Sequence, residues 1–245
     1  MPEQPLSTAP RSMLAPSVAW YGKLPSLGDF AGRRMPHALT LEWDAWLREG
    51  MEELRRTDDT GWPDRFVNAP LWFFIAPVAA LSSPVIGALA PSMDRVGRYY
   101  PLTVMATAPR EGCSFADDLQ VKAFLAGARA AIVDARRRAL SVDELDLRIS
   151  QLPNPFETAH LSEREPSLIG NILSDLNQAS RAHQTSANDH ADNIVLPTGD
   201  WRARTAPLRE QSLWWVSPTI RLGYQELLHQ GASDRWLFTQ LFSRH

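Results

Sequence analysis

Apolar positions recur along this chain with two different periods. Between Thr40 and Arg56, Leu41, Trp43, Trp46, Leu47, Met51 and Leu54 return every three or four residues, which predicts an amphipathic helix with a wide apolar stripe. Glu42 and Asp44 then fall in its first turn and Arg55 and Arg56 in its last, the signs that a helix dipole favours. Ser17–Tyr21 reads as a first strand, with Val18 and Trp20 on one face. Leu71–Ala76, Val85–Leu89 and Leu102–Thr107 are continuous apolar runs joined by short links rich in Pro, Ser and Gly. Links that short suit antiparallel neighbours, because a parallel crossover needs roughly a dozen residues. A long helix is expected over Ala116–Ala139, ending in Arg136, Arg137 and Arg138. Ser141-Val142-Asp143-Glu144 has the form of a capping box and starts another helix. Leu145, Leu147, Ile149 and Leu152 supply its apolar content, and Pro153 and Pro155 stop it.

Further along, Glu165–Ala179 is expected to be a helix, Ser180–Asn193 a surface loop, Ser212–Val216 a last central strand and Ser233–Phe242 a final helix. Gly28-Asp29 reads as a turn leading into a helical region. Residues 1–16 hold four prolines among small polar residues, too few large apolar groups to offset the entropy of ordering, and are expected to be a disordered tail. The element order predicts an α+β fold: one domain over residues 17–245, an α/β/α sandwich whose largely antiparallel sheet is flanked by helices.

Composition narrows the function more than the fold. The 245 residues carry a net charge of −3, which leaves no basic field for nucleic acid or anionic lipid. Cys113 is the only cysteine, so neither an internal disulfide nor a cysteine-rich zinc site is expected. The N-terminus lacks a charged and apolar leader, and the longest apolar run, Ala69–Leu81, is broken by Pro70 and Pro77 and falls short of a membrane helix of about 20 residues. A cytoplasmic location is the expectation.

Two clusters concentrate unusual residues: Trp20–Phe30, and the run from Pro91 to Leu102. Neither matches known catalytic chemistry. Gly22-Lys23 lacks the glycine-rich lead of a phosphate-binding loop, and Pro25 removes a backbone donor. Asp29 and Asp94 are candidates for an acid/base pair, but Arg95 and Arg98 would keep Asp94 ionised, so a salt-bridged turn is the preferred reading. Within that turn Asp94 should pair with one arginine and leave the other available, with Val96 pointing inward. Ser92 lacks the elbow of a serine hydrolase. His183 and His190 share a stretch with Asp189 and Asp192, where a solvated loop is preferred to a metal site. His229 is placed near a helix C-terminus. Trp43, Trp46, Trp72 and Trp214 read as core residues rather than interface anchors, and Trp62 has no clear place. No cofactor, metal or nucleic-acid partner is expected.

The two clusters also carry a resemblance. Trp20-Tyr21-Gly22-Lys23-Leu24-Pro25-Ser26 with Gly28-Asp29-Phe30, Trp43-Asp44 with Trp46-Leu47, Ala69-Pro70 with Trp72, and Pro91-Ser92 with Asp94-Arg95-Val96-Gly97-Arg98 and Tyr100-Pro101-Leu102 resemble the TagF family, also called ImpM. A weaker match follows at Ser212-Leu213-Trp214-Trp215. The resemblance implies a cytoplasmic accessory protein of the type VI secretion system. It would be a post-translational repressor whose partner is a machine component, the forkhead-associated scaffold protein Fha, linked to a threonine-phosphorylation pathway. Some members carry a fused protein phosphatase, and the stand-alone form is the expectation here. Lys23, Ser26, Asp29, Ser92, Asp94, Arg95 and Arg98 are the motif residues that could form a partner surface. Two other readings stand beside it: a hydrolase-like enzyme using Asp29, Asp94 and Arg95 in a cleft, and a structural module of the machine's cytoplasmic base.

Overall fold

The computed structural model describes residues 18–81, 84–108, 114–157, 194–205, 211–219 and 222–243. Seven strands form one sheet: β1 Val18–Lys23, β2 Phe30–Arg33, β3 Trp72–Ala76, β4 Val85–Ala90, β5 Leu102–Thr107, β6 Gln211–Val216 and β7 Gln225–Gln230. Their order is β2-β1-β5-β4-β3-β6-β7, and every pairing is antiparallel. Helices α1 His37–Thr57, α2 Trp62–Asn68 and α6 Arg235–Ser243 cover one face. Helices α3 Asp118–Arg138, α4 Val142–Ser150 and α5 Trp201–Thr205 lie on the other. The α+β expectation of helices flanking an antiparallel sheet describes this architecture.

Alternation within the strands divides two cores. Phe73, Ile75, Trp215 and Val104 face α3, whereas Trp72, Phe74, Trp214 and Met105 face α1 and α6. The central strands β3, β4 and β5 are buried along their whole length, which is why they read as unbroken apolar runs. Trp43, Trp46, Trp72 and Trp214 are all core residues, and their indole N–H groups are satisfied by Thr103 Oγ1, Asp234 O, Leu241 O and Ser212 Oγ.

Several sequence expectations need correction. Gly28-Asp29 leads into β2, not a helix, and α1 begins only at His37. Because α1 starts at His37 rather than at Thr40, Glu42 and Asp44 fall beyond its first turn and serve tertiary contacts rather than the dipole. The Glu42 carboxylate accepts from the backbone N–H groups of Ala79 and Ala80, at 2.7 and 2.8 Å. Ser212–Val216 is the last central strand, as expected, but an unforeseen edge strand, β7, pairs beyond it, and His229 sits in β7 rather than at a helix end. The capping box at Ser141 and Glu144 is present, but Leu147 is exposed while Leu145 and Ile149 are buried. Trp62 opens α2, half-buried against Tyr99 and Phe66. The expected tail, the helix at 165–179, the loop at 180–193 with His183 and His190, and Cys113 lie outside the described residues.

Candidate functional site

β1 ends at Lys23 beside the start of β5, so the two motif clusters meet at one end of the sheet. Gly22 makes that meeting possible. Its φ is +146°, and a Cβ there would lie 2.2 Å from the Pro101 carbonyl oxygen. The chain between β4 and β5 folds back on itself through a Met93–Tyr99 bridge and hydrogen bonds from Gly97 N–H to Asp94 O and from Asp94 N–H to Arg98 O. Gly97 adopts a φ of +83° at the tip.

Asp94 lies at the centre of this loop, 2% exposed. Its Oδ2 accepts from Lys23 Nζ at 2.9 Å and from Arg98 Nε at 2.7 Å. Its Oδ1 accepts from the backbone N–H groups of Val96 and Arg98, at 3.1 and 2.9 Å. Burial alone would push its pKa up. The bonds from Lys23 and from the Arg98 backbone and side chain outweigh that and hold the carboxyl well below its ordinary value of 3.8. Lys23, 6% exposed, also sits 5.0 Å from the centre of the Phe30 ring.

The rest of the set fastens the two clusters together. Ser92 Oγ donates to Lys23 O at 2.8 Å, and Arg95 N–H donates to Leu27 O at 2.9 Å. The Arg98 guanidinium donates to the Gly28 carbonyl. Ser26 Oγ reaches across to Leu140 O at 2.7 Å, tying the loop to the segment after α3. Asp29 is exposed and accepts from the N–H of Phe30. Asp94 thus pairs with one arginine, Arg98, as the sequence reading expects, and the Arg95 side chain is left exposed. The expected inward direction of Val96 is wrong: it is 65% exposed, because Asp94 and not Val96 occupies the interior of the turn. Lys23, Ser92 and Asp94 are interior, so among the predicted residues only Asp29, Arg95 and Arg98 present largely exposed side chains.

A second network was not foreseen from the sequence. Asp44 of α1 accepts from Tyr21 and Tyr100 hydroxyls on one oxygen, at 2.8 and 2.6 Å, and from Arg48 on the other, at 2.7 Å. Burial, and then the bond to Asp44, raise the pKa of both phenols. Phe30 stacks on Tyr21 and meets Tyr100 edge-on, joining this network to Lys23 and Asp94. Tyr21, Phe30, Asp44 and Tyr100 all lay within quoted motifs, and Arg48 did not, but no spacing rule links residues from three elements and a loop.

Chemically, the arrangement is a saturated latch. Asp94 has all of its acceptor capacity in use, and Asp29 lies outside the latch on its own backbone turn. Among the described residues no group of His, Cys, Asp and Glu is placed to hold a metal ion, and no helix is long and apolar enough to cross a membrane.

Comparison with known proteins places this geometry. The profile of the TagF N-terminal domain, type VI secretion system-associated, matches residues 19–152. The crystal structure of PA0076 from Pseudomonas aeruginosa PAO1 superposes with a TM-score of 0.64 at 25% sequence identity, covering 93% of this chain and 94% of that one. No curated protein matches.

Proposed function

The chain belongs to the TagF family of type VI secretion system-associated proteins, and from that premise we propose that it acts by protein contact rather than by catalysis. In this reading it is a cytoplasmic repressor that binds a component of the machine, the forkhead-associated scaffold being the first candidate. Binding withdraws that component from assembly, and repression follows by mass action.

One observation carries the reading. The motif residues with the most chemical potential, Asp94 and Lys23, are buried in mutual contact. What the latch offers outward is a rigid tip: Arg95, Val96, Gly97 and Arg98, beside Asp29. A general acid or base must be free to reach a substrate proton, and a carboxylate with four donors is not. A pre-organised loop with an exposed apolar residue between two arginines suits a partner surface, since it loses little entropy on binding.

Overproducing the protein in its host tests this. Secretion of type VI substrates should fall while the levels of the machine's components stay constant, and Arg95→Glu should relieve the repression without changing the circular dichroism spectrum. Unchanged secretion would remove the repressor reading. Turnover of a small substrate that disappears in Asp29→Asn or Asp94→Asn would favour an enzyme instead.

A further inference from the structure

Beside the latch, at the same end of the sheet, the surface is cut by two clefts. One, of about 420 Å³, lies between α3 and the motif loops and is lined by Pro25, Pro91, Met93, Val133, Arg136 and Arg137. The other, of about 340 Å³, includes Leu71, Arg129 and Leu222. The two adjoin. Val67 lines the first and its chain neighbour Asn68 the second, while Val133 and Arg129 stand about one turn apart on α3. The result is a groove along α3 with a mostly apolar floor.

Its charge is unbalanced. Basic residues in the last turn of α3 suit the helix dipole, and that accounts for Arg138, which pairs with Asp134 at 3.4 Å. Asp134 is also held by Arg148 of α4. The acid on this stretch of α3 is therefore already engaged twice, and among the described residues neither Arg136 nor Arg137 has an ion-pair or hydrogen-bond partner for its side chain. Arg137 is exposed, but Arg136 is half-buried against the cleft wall. Burial, and then the neighbouring Arg137 charge, lower the Arg136 pKa. A half-buried guanidinium without an acceptor is costly, and a carboxylate arriving in the groove would relieve that cost through paired, charge-assisted hydrogen bonds.

We propose that this groove is a binding site for an extended acidic segment of a protein partner, with carboxylates on Arg136 and Arg137 and apolar side chains on the Pro25, Met93 and Val133 wall. The inference rests on the protein-contact reading above and names the chemistry of the contact. A lone small anion fits less well, because it would leave two adjoining apolar clefts unfilled. The first cleft falls in the usual range of ligand sites, about 300–1,000 Å³.

A short fluorescein-labelled peptide of alternating glutamate and leucine is a direct probe, read by anisotropy on the full chain at low salt. Wild-type protein should bind it. Arg137→Glu, at an exposed position, and Arg136→Gln, of similar size, should each weaken binding about tenfold or more. Arg235→Glu, at an exposed position on the opposite layer, should leave it unchanged. Wild-type failure to bind, equal binding by the groove variants and wild type, or displacement by inorganic phosphate at the peptide's own concentration would each overturn the proposal. Capture of machine components is scored separately. Capture that persists without peptide binding removes this inference alone, and peptide binding without capture removes the repressor reading alone.

Discussion

Asp94 decides how the motif loop behaves. Removing its carboxylate leaves Lys23 buried without a counter-charge, so Asp94→Ala should cost about 3–5 kcal/mol. Arg98 makes its half of the pair from a side chain that is 59% exposed, so Arg98→Ala should cost below about 1 kcal/mol in the same urea titration. Equal losses would show that the two cations share the load. The depressed pKa of Asp94 has a pH signature too. A carboxyl whose folded pKa lies below its unfolded value contributes stability that is complete above that unfolded value and is lost as pH falls toward the folded one. Acid unfolding of the wild type should therefore steepen below the ordinary Asp value of 3.8, and Asp94→Asn should flatten that limb. The local half of this chemistry was legible: Asp, Arg, Gly and Arg in five residues announce a charged turn. The other half was not. Lys23 lies 71 residues away, and nothing local marks it as the partner. Asp44 misled for a related reason, since an acid near a helix start has a ready dipole explanation that hides its bonds to Tyr21 and Tyr100.

At the scale of elements, the sequence displays those that are buried and periodic and conceals those at the edges. β3, β4 and β5 stood out because both of their faces are covered. β2 is four residues long and includes Gly32, and β7 mixes Gln, Glu and His with two leucines, so neither shows alternation or an apolar run. Both are edge strands, which need only one paired side. The α1–α6 contact carries a prediction that runs against propensity. Gly→Ala inside a helix ordinarily gains up to about 1 kcal/mol. At Gly50 the new Cβ would lie 2.1 Å from the Phe238 ring and 2.5 Å from its Cβ, so the packed helices must separate. Overpacking of this kind costs about 1–3 kcal/mol, and Gly50→Ala should lower the urea midpoint. Gly127→Ala on α3 meets only the flexible end of Leu152 and should be nearly neutral. A stabilised Gly50→Ala would show that α6 is loosely seated.

The molecule as a whole gathers its unusual chemistry at one end of the sheet. β1 and β4 end there, β5 begins there, and α3 brings its arginines to the same rim. The layered order of elements was readable from periodicity, and the family from four spaced motifs, but the convergence of latch and groove required the pairing of β1 with β5. That convergence is the core of the functional account: buried motif residues hold a rigid loop so that its exposed residues can engage a partner. The most direct test is capture of the forkhead-associated scaffold from a secretion-competent host by the tagged full chain, comparing wild type with Arg95→Glu. The account predicts recovery of the scaffold by wild type and loss of about tenfold or more with Arg95→Glu, at unchanged thermal midpoint. Failure of folded wild type to recover the scaffold, or equal recovery by the variant, would contradict it.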